Sequence, residues 1–284
     1  MVKTIFEALD FGIKTLDKSN IDSAFIDAQL LLCHILNCDK GYLIVHKNDS
    51  LPETKYQEYT ELINKRANHM PVKYITEKCE FYSLEFTVNK NVLIPRPDTE
   101  IIIDTVLSLI PDDRKLNILD LCSGSGCIGI TLATLYKNSS VTLIDISEGA
   151  IETAMININT LCPDGRISIE KKDILKDTIS GKYDLIVSNP PYINEADYEN
   201  LEEDVKNYEP EIALVSPVDE YKFYKRIMDV YSANLKSEGY LLFEMGYNQW
   251  EFLSSYAKNS GKFSEIKIEK DFSGINRVLC LKKI

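Results

Sequence analysis

The stretch Asn117-Ile-Leu-Asp-Leu-Cys-Ser-Gly-Ser-Gly126 joins a short apolar run to a glycine-rich loop, and an apolar, helix-like segment (125–136) follows. This order is typical of a buried β-strand that turns directly into a helix. Gly124 and Gly126 allow a tight turn and a close approach of the backbone to a ligand. The loop is not GxGxxG and lacks the lysine of a phosphate-binding P-loop. Since Asp120 also precedes it, the pattern favours a neutral or cationic ligand over a polyphosphate.

Strands and helices alternate along the chain beyond this loop. Short apolar runs predict strands at 116–121, 140–146, 166–170, 183–188, 239–245, 263–269 and 277–282. Helical spacing predicts helices at 125–136, 148–160, 219–235 and 247–258. The alternation predicts an α/β fold, with a mostly parallel sheet covered by helices on both faces. Ligands of such sheets bind at the carboxyl ends of the strands.

Acidic residues end or follow the first three strands of this sheet. Asp120 ends the first strand, Asp145 the second, and Asp173 follows the third. Asp145 can accept hydrogen bonds from ribose hydroxyls, and Asp173 from an adenine amino group, although either could instead cap a helix. Together with the glycine loop, these acids predict a site for an adenosine that carries no phosphate. S-adenosylmethionine fits, because its sulfonium and ammonium charges suit an acidic site.

The fourth strand leads into Asn189-Pro-Pro-Tyr192. The Asn189 carboxamide oxygen and the Pro190 carbonyl can each accept one N–H from a planar NH₂ group, and Tyr192 can pack on its face. Pro191 fixes the backbone direction. This arrangement favours methylation of an amide or exocyclic amine, in which positioning supplies most of the acceleration. The alternative is a rigid turn with a purely structural role, since Asn-Pro often begins a turn.

The part of the chain before the glycine loop does not show the alternation of strands and helices. Residues 1–75 predict helices, and Ser50-Leu-Pro-Glu53 predicts a capping box that opens a helix through about Arg66. Residues 80–94 predict a β-hairpin with Asn-Lys-Asn as its turn. Ile94-Pro-Arg-Pro-Asp-Thr-Glu100 then predicts an extended connector, with Asp98 or Thr99 capping a helix through Ile110.

Composition excludes several classes of protein. The chain has 284 residues and a net charge of −12, which disfavours a broad phosphate-binding surface. No apolar run is long enough to cross a bilayer, and the N-terminus does not read as a signal peptide. Seven cysteines without a CxxC pair, and three histidines all before residue 70, predict no disulfide framework and no metal site. A reducing cytoplasm is therefore the expected compartment.

The negative charge is concentrated in the second part of the chain. Residues 1–93 carry a net charge of −2, and residues 94–284 carry −10. The densest run, 195–211, has eight acids and one base, Lys206. Such runs are usually solvated surface. We interpret this one as an acidic lip that attracts a basic protein surface and repels phosphate.

These motifs together carry a family resemblance. Asp120–Gly126, Asp145, Asp173 and Asn189–Tyr192 resemble a class I methyltransferase that acts on a planar nitrogen. Val92-Leu-Ile-Pro-Arg-Pro-Asp-Thr-Glu100, with Pro71–Thr76 and Glu80-Phe-Tyr before it, resembles the HemK/PrmC release-factor glutamine methyltransferases. The resemblance extends to Asp271–Arg277 near the end of the chain.

The resemblance implies a Rossmann-like methyltransferase domain at 98–284, a β-hairpin and connector at 79–97, and a helical substrate-recognition domain at 1–78. It implies transfer of a methyl group from S-adenosylmethionine to the glutamine of the Gly-Gly-Gln motif in class I peptide chain release factors, with S-adenosylhomocysteine as product. It also implies that the last strand pairs antiparallel. We expect a cytoplasmic monomer with no direct nucleic-acid or membrane contact.

The residue roles follow by position. The implied cofactor-binding residues are Asp120, Cys122, Ser123, Gly124, Ser125, Gly126, Asp145, Asp173, Ile174 and Asn189. Asn189, Pro190, Pro191 and Tyr192 bind the glutamine, and Asn189, Pro190 and Tyr192 carry the catalysis. Cys122 departs from the family, which often has glycine there. Arg96 and Glu100 are expected to order the connector.

Two other functions share parts of this pattern. An adenine or guanine amino methyltransferase acting on RNA or DNA would use the same Asn189–Tyr192 chemistry. A DNA enzyme would need a basic channel and a means of base flipping, whereas the residues just after Tyr192 are acidic. A non-catalytic binding module with a degenerate cofactor site is disfavoured by the intact Asn189 and strand-end acids.

Overall fold

The computed structural model describes residues 3–284, which divide into two units. The smaller unit holds the residues up to Lys78 together with Glu202–Tyr208, and the larger holds Cys79–Leu201 and Glu209–Ile284. The chain thus leaves the larger unit once and returns to it. Within residues 3–284, no helix combines the length and the apolar character that a membrane span requires.

The smaller unit is mostly helical, as predicted. Its elements before residue 78 are β1 (Lys3–Thr4), α1 (Ile5–Lys18), α2 (Ala24–Leu36), α3 (Lys40–Val45), β2 (Ser50–Leu51), α4 (Glu53–Ala67) and α5 (Val72–Thr76). The helix Glu203–Tyr208 completes it. The core lies between α1, α2 and α4, and its largest fully buried side chain is that of Tyr59.

The predicted capping box at Ser50–Glu53 is wrong. Ser50 pairs with Thr4 in the short β1–β2 ladder, and α4 begins after Pro52 with no side-chain cap. A capping box occurs instead at α1, where Thr4 Oγ1 accepts from the Glu7 N–H at 3.1 Å and Glu7 Oε2 accepts from the Thr4 N–H at 2.8 Å. The two patterns look alike in sequence, but Thr4 is the residue just before its helix, whereas α4 begins after Pro52, so Ser50 does not occupy the N-cap position.

A buried arginine neutralises part of the acidic run within the smaller unit. Arg66 Nε donates to Asp27 at 2.7 Å, and Arg66 Nη1 donates to Asp204 at 2.6 Å. His69 Nδ1 lies 3.3 Å from the second oxygen of Asp204. Breaking a buried ion pair by removing one partner is strongly destabilising. Asp204 therefore has a structural role and is not a free surface charge.

The remaining elements belong to the larger unit, except α10, which is part of the smaller one. In chain order they are β3 (Lys78–Phe81), β4 (Leu84–Thr87), α6 (Glu100–Leu109), β5 (Asn117–Leu121), α7 (Cys127–Leu135), β6 (Ser140–Asp145), α8 (Glu148–Leu161), β7 (Ile167–Lys171), β8 (Tyr183–Ser188), α9 (Glu195–Tyr198), then α10 (Glu203–Tyr208) of the smaller unit, α11 (Glu211–Leu214), α12 (Lys222–Asp229), β9 (Leu235–Glu244), α13 (Trp250–Ser260), β10 (Phe263–Lys270) and β11 (Asn276–Lys283). All seven predicted strands of the large sheet are present. The predicted helix 219–235 is shorter, because a 3-10 turn at Tyr231–Asn234 follows α12.

Seven of these strands form one sheet in the order β10-β11-β9-β8-β5-β6-β7. The strands from β9 to β7 are parallel, and β11 is antiparallel to both β9 and β10, as predicted. Alternate strand residues face two separate cores. One core includes α6, α7 and α8, and the other includes α12 and α13. Strand order reverses at β5, so a crevice opens at the carboxyl ends of β5 and its neighbours.

The hairpin and the connector form, but with a different turn from the one predicted. Tyr82 and Ser83 join β3 to β4, with φ values of 50° and 61°, as a two-residue hairpin turn requires. The Asn-Lys-Asn segment makes a separate turn after β4, in which Asn89 Oδ1 accepts from the Asn91 N–H at 2.9 Å. Hairpin register therefore follows the tight two-residue turn and not the asparagines.

Arg96 and Glu100 order the connector, as expected. Glu100 accepts from the Tyr82 N–H at 2.7 Å, which ties α6 to the hairpin. Arg96 pairs with Glu209, whose other oxygen accepts from the Ile94 N–H at 3.0 Å. Glu209 is 5% exposed, so it is the second acid of the run with a structural role. The interpretation of the whole run as an exposed lip is wrong for Asp204 and Glu209.

Candidate active site

A cavity of about 500 Å³ opens at the carboxyl ends of the central strands of the larger unit. Among the predicted site residues, those that line it are Cys122, Ser123, Gly124, Ser125, Asp145, Asp173, Ile174, Asn189 and Pro191. The connector residues 91–93, Pro95, Arg96 and Thr99 form a further part of its wall. Asp120, Gly126, Pro190 and Tyr192 are not among the lining residues. The volume is within the range of small-molecule sites.

The loop after β5 owes its shape to left-handed backbone conformations. Gly124 and Gly126 have φ values of +55° and +80°. A Cβ on Gly126 would lie 2.8 Å from Ile130 Cδ1, whereas one on Gly124 would meet nothing within 4 Å. Cys122 also has a left-handed φ, of 58°, which is uncommon for a residue other than glycine. Cys122, at a position where the family often has glycine, therefore holds a backbone conformation that is strained for cysteine but not for glycine.

Asp145 holds this loop against the end of β6. Its Oδ2 accepts from the Gly124 N–H at 2.8 Å, and its Oδ1 accepts from the Ser147 N–H at 2.9 Å. Burial raises the pKa of Asp145, while these backbone hydrogen bonds act to lower it. Each carboxylate oxygen keeps a lone pair that can accept from a diol. The side chain is therefore both a support for the loop and an acceptor at the cavity wall.

Asp173 and Ile174 form the wall beyond β7. Asp173 Oδ1 accepts from the Leu175 N–H at 2.9 Å, and its other oxygen pairs with Lys176 at the same distance. The carbonyl of Ile174 accepts from Arg226 at 3.0 Å and from the Tyr231 hydroxyl at 3.2 Å. These bonds fix the backbone where the predicted adenine contact lies.

Asp120 does not face the cavity, contrary to its predicted role as a cofactor ligand. It is fully buried, and its Oδ2 accepts from the Gly129 N–H at 2.9 Å in the first turn of α7. Burial raises the pKa of Asp120 to about 8. Its side chain points toward the helix because alternate residues of β5 face opposite sides of the sheet. Asp120 therefore stabilises the first turn of α7, and with it the glycine loop that leads into this helix, and does not face the cavity.

Asn189 lies at the end of β8 and lines the cavity. Its Nδ2 donates to Thr99 Oγ1 at 3.3 Å. With Nδ2 bonded to Thr99, Oδ1 is the remaining polar atom of the Asn189 side chain. Pro190 is buried and is not among the lining residues, so acceptance of an N–H by its carbonyl stays a prediction.

Tyr192 is held by two groups near the end of β9. Its hydroxyl donates to Glu244 Oε1 at 3.2 Å, and its carbonyl accepts from Gln249 Nε2 at 3.1 Å. Glu244 Oε2 accepts from the Thr99 hydroxyl at 2.5 Å. Burial raises the pKa of Glu244 and that of Tyr192. Packing of the Tyr192 ring on a substrate amide stays a prediction.

Asn157 on α8 joins the hairpin to the cofactor loop. Its Nδ2 donates to the Thr87 carbonyl at 3.0 Å and to the Ser125 carbonyl at 2.9 Å, and its Oδ1 accepts from the Thr87 N–H at 2.7 Å. The side chain is 1% exposed. A single buried amide thus connects two segments that line or support the cavity.

Sequence reasoning missed Thr99, Asn157 and Glu244. Glu244 is an acid at the end of a predicted strand, so the rule that selected Asp145 would also have selected it. Thr99 was assigned to a helix cap, but α6 has no side-chain cap and the hydroxyl is used by Glu244. Asn157 lies inside a predicted helix, where nothing in the sequence distinguishes it from a surface residue.

The donor set of the cavity fits S-adenosylmethionine. The loop carries no lysine, and Asp145 and Asp173 place two carboxylates on the wall. The left-handed Gly124 leaves its Cβ position open, so a ligand can approach the backbone there. Apolar side chains such as Ile146 and Leu175 supply surface for a flat ring. These features suit an adenosine with a positively charged tail.

Comparison with known proteins decides the family. The sequence matches the family model of the PrmC N-terminal domain over residues 7–76 and that of the Methyltransferase small domain over residues 99–205. It is 40% identical to the release factor glutamine methyltransferase of Clostridium acetobutylicum over 97% of both chains. It is 39% identical to that of Clostridium botulinum over 96% of both chains. The chain belongs to the release factor glutamine methyltransferase family.

Membership in this family confirms the predicted resemblance, the class of enzyme and S-adenosylmethionine as the methyl donor. The fold class is confirmed separately by a solved structure. The crystal structure of a methyltransferase from Pyrococcus furiosus has a TM-score of 0.53 and 17% identity, and the match covers 74% of this chain and 93% of that one.

Proposed function

We propose that this protein methylates the side-chain amide nitrogen of the glutamine in the Gly-Gly-Gln motif of class I peptide chain release factors. The observation that carries the proposal is the 40% identity to a release factor glutamine methyltransferase over 97% of both chains. The carboxamide of Asn189, which lines the cavity, suits a substrate whose reacting group is a planar NH₂.

In this function the chain positions the amide and does not ionise it. S-adenosylmethionine, when bound, supplies an electrophilic methyl group. Asn189 Oδ1 and the Pro190 carbonyl each accept one N–H of the glutamine amide, which fixes the plane of that amide and increases electron density on its nitrogen. Asp145, Asp173 and the loop residues 122–125 hold the adenosine and the tail of the cofactor. Alignment of the two reactants then accounts for most of the acceleration.

The test is incubation of the purified protein with a class I release factor and methyl-labelled S-adenosylmethionine. We expect one methyl group on the glutamine of the Gly-Gly-Gln motif, located by mass spectrometry of the digested factor. A factor in which this glutamine is replaced by glutamate is the matched control and should remain unlabelled. Label in ribosomal RNA or DNA, with none in the factor, would replace the proposal by the exocyclic-amine alternative.

The smaller unit is proposed to recognise the release factor. It matches the PrmC N-terminal domain over residues 7–76, and it presents apolar side chains such as Ile44 and Val45, 68% and 78% exposed. Chains with Ile44→Ser or Val45→Ser should show a higher KM for the factor and an unchanged affinity for S-adenosylmethionine. An unchanged KM in both variants would remove the recognition role from this face.

We further propose that the protein acts as a cytoplasmic monomer without direct contact to nucleic acid. The cytoplasm is where a release factor and ordinary free thiols occur, and all seven cysteines of this chain are free. The net charge of −12 opposes binding to phosphate. Light scattering of the purified protein and a shift assay with ribosomal RNA test the two statements separately.

A further inference from the structure

One buried carboxylate connects the two polar side chains of the Asn189–Tyr192 segment. Glu244 is 3% exposed, and it accepts from the Thr99 hydroxyl at 2.5 Å and from the Tyr192 hydroxyl at 3.2 Å. Thr99 in turn accepts from Asn189 Nδ2 at 3.3 Å. Four side chains from three distant parts of the sequence thus form one hydrogen-bonded chain inside the larger unit.

The direction of each hydrogen bond follows from Glu244, whose two oxygens accept from two hydroxyl groups. Its Oε2 accepts from the Thr99 hydroxyl and its Oε1 from the Tyr192 hydroxyl, so the single hydroxyl proton of Thr99 is donated to Glu244. Thr99 Oγ1 then has only lone pairs to offer to Asn189. Asn189 must therefore present its NH₂ group to Thr99, and its planar carboxamide places Oδ1 on the opposite side.

This orientation matters for an amide substrate. The NH₂ group of a target amide has two donors and needs acceptors. In the reverse orientation, the NH₂ group of Asn189 would face the NH₂ group of the substrate amide, and the hydrogen bond between Asn189 and the substrate would be lost. The terminal torsion of asparagine is broad and nearly two-fold, so the side chain alone does not choose between the two orientations.

We propose that Thr99 and Glu244 are positioning residues for methyl transfer: Glu244 directs the Thr99 hydroxyl, and Thr99 fixes the Asn189 carboxamide with its oxygen toward the methyl acceptor. This inference rests on the proposed function, in which Asn189 binds the glutamine amide, and it deepens that function. It also explains why Thr99, at the start of α6, does not cap the helix.

A merely structural role would be to anchor the connector to β9. Both roles use the same hydrogen bonds, but they affect different measurements. An anchor affects the melting temperature and the affinity for the cofactor, because connector residues such as Arg96 also line the cavity. A positioning role affects kcat for the release factor at saturating cofactor.

The test compares Thr99→Val, which keeps the volume and removes the hydroxyl, with Thr99→Ser, which keeps the hydroxyl. For Thr99→Val we expect kcat to fall by about tenfold or more, the loss that one misdirected hydrogen bond produces. The dissociation constant for S-adenosylmethionine should stay within about twofold of the wild-type value. Thr99→Ser should keep kcat within about threefold. Thr105→Val is the matched control, because Thr105 is also buried but its hydroxyl donates to the Ile101 carbonyl within α6.

Glu244→Gln provides a second route if Thr99→Val does not fold. Glutamine has nearly the same shape but can donate as well as accept, so it no longer dictates the direction of the Thr99 hydroxyl. We expect kcat to fall by about threefold or more with the cofactor affinity retained. Wild-type kcat in the folded Thr99→Val or Glu244→Gln protein would overturn the inference, and so would a parallel loss of cofactor affinity.

The same assays separate this inference from the proposed function. Wild-type protein that methylates no release factor would contradict the proposed function, and the inference would fall with it. Active wild-type protein with an equally active Thr99→Val variant would contradict the inference alone.

Discussion

The two ends of the cavity hold their polar groups in different ways. At the cofactor end, defined by residues 122–126, Asp145 and Asp173, the carboxylates bond to backbone: Asp145 to Ser147 and Asp173 to Leu175, each two positions away, and Asp145 also to Gly124, 21 positions away. At the acceptor end, defined by the wall residues Thr99 and Asn189 with Glu244 and Tyr192 as their bonded partners, the links run between side chains that are farther apart in sequence. Thr99 and Glu244 are separated by 145 positions, and Asn189 and Thr99 by 90.

This difference indicates how each end responds to change. At the cofactor end the carboxylates bond to backbone groups and do not orient a further side chain of the cavity wall, so a substitution there should weaken one ligand contact. The acceptor end is a chain of side chains in which each member orients the next, so a substitution should affect the chemical step more than binding. Three substitutions test whether this distinction holds.

Asn189→Ala should have the largest effect. It removes an acceptor that contacts the reacting amide, and we expect kcat to fall by at least about 100-fold, as for the loss of a group that stabilises the transition state. The affinity for S-adenosylmethionine, measured by calorimetry, should stay within about twofold. Asn200→Ala, an exposed asparagine outside the cavity wall, is the control. A joint loss of turnover and cofactor binding would contradict the distinction between the cofactor end and the acceptor end.

Asp145→Asn should produce the opposite pattern. An amide offers only one acceptor oxygen, whereas Asp145 accepts from two backbone N–H groups with two oxygens. We expect the dissociation constant for S-adenosylmethionine to rise by about tenfold, the cost of a hydrogen bond to a charged group. Turnover at saturating cofactor should change little. Glu152→Gln, an exposed acid on α8, should leave both quantities unchanged.

Asp120 should affect the stability of the fold and neither cofactor affinity nor turnover, so it marks where the comparison of the two ends stops. It belongs to the cofactor loop by sequence but is buried like Glu244, with its pKa raised to about 8. Since the folded protein retains this proton and the unfolded chain loses it near pH 4, the neutral form stabilises the fold at low pH. That stability should decrease by about 1.4 kcal/mol for each pH unit between about 5 and 7.

The measurement is denaturant unfolding of the wild type and of Asp120→Asn across this pH range. The variant keeps an oxygen for the Gly129 N–H but has no proton to lose, so the wild type should lose stability relative to the variant as pH rises from about 5 to about 7. A difference independent of pH would mean that Asp120 is already ionised in the folded protein.

Much of the site followed from local sequence. Residues 122–125 of the glycine loop, Asp145, Asp173 and Ile174 were predicted from strand ends and by family resemblance, and all of these line one cavity. Asn189 was predicted on the same grounds. Each of these residues lies within a few positions of a strand end, so the one-dimensional pattern of the sheet is enough to place it.

Residues whose partners are distant were missed or assigned the wrong role. Thr99 has a good helix-capping sequence context, but Glu244 is a stronger acceptor for its hydroxyl. Asp204 and Glu209 looked like surface acids, but Arg66 and Arg96 pair with them. Asp120 looked like a cofactor ligand, but the side of β5 on which it lies could not be assigned without the position of α7.

The sequence by itself determined the positions of the strands along the chain, the glycine loop and the strand-end acids, because these depend on hydrophobic periodicity and on backbone conformations encoded within short segments. The family followed from the resemblance of its motifs and from the 40% identity to a relative. Only the tertiary structure decided which of the acids face the cavity and how Asn189 is oriented. These properties depend on the direction of single hydrogen bonds between segments that packing of the sheet and helices brings together. Glu244, which accepts from both the Thr99 and the Tyr192 hydroxyls, determines that direction.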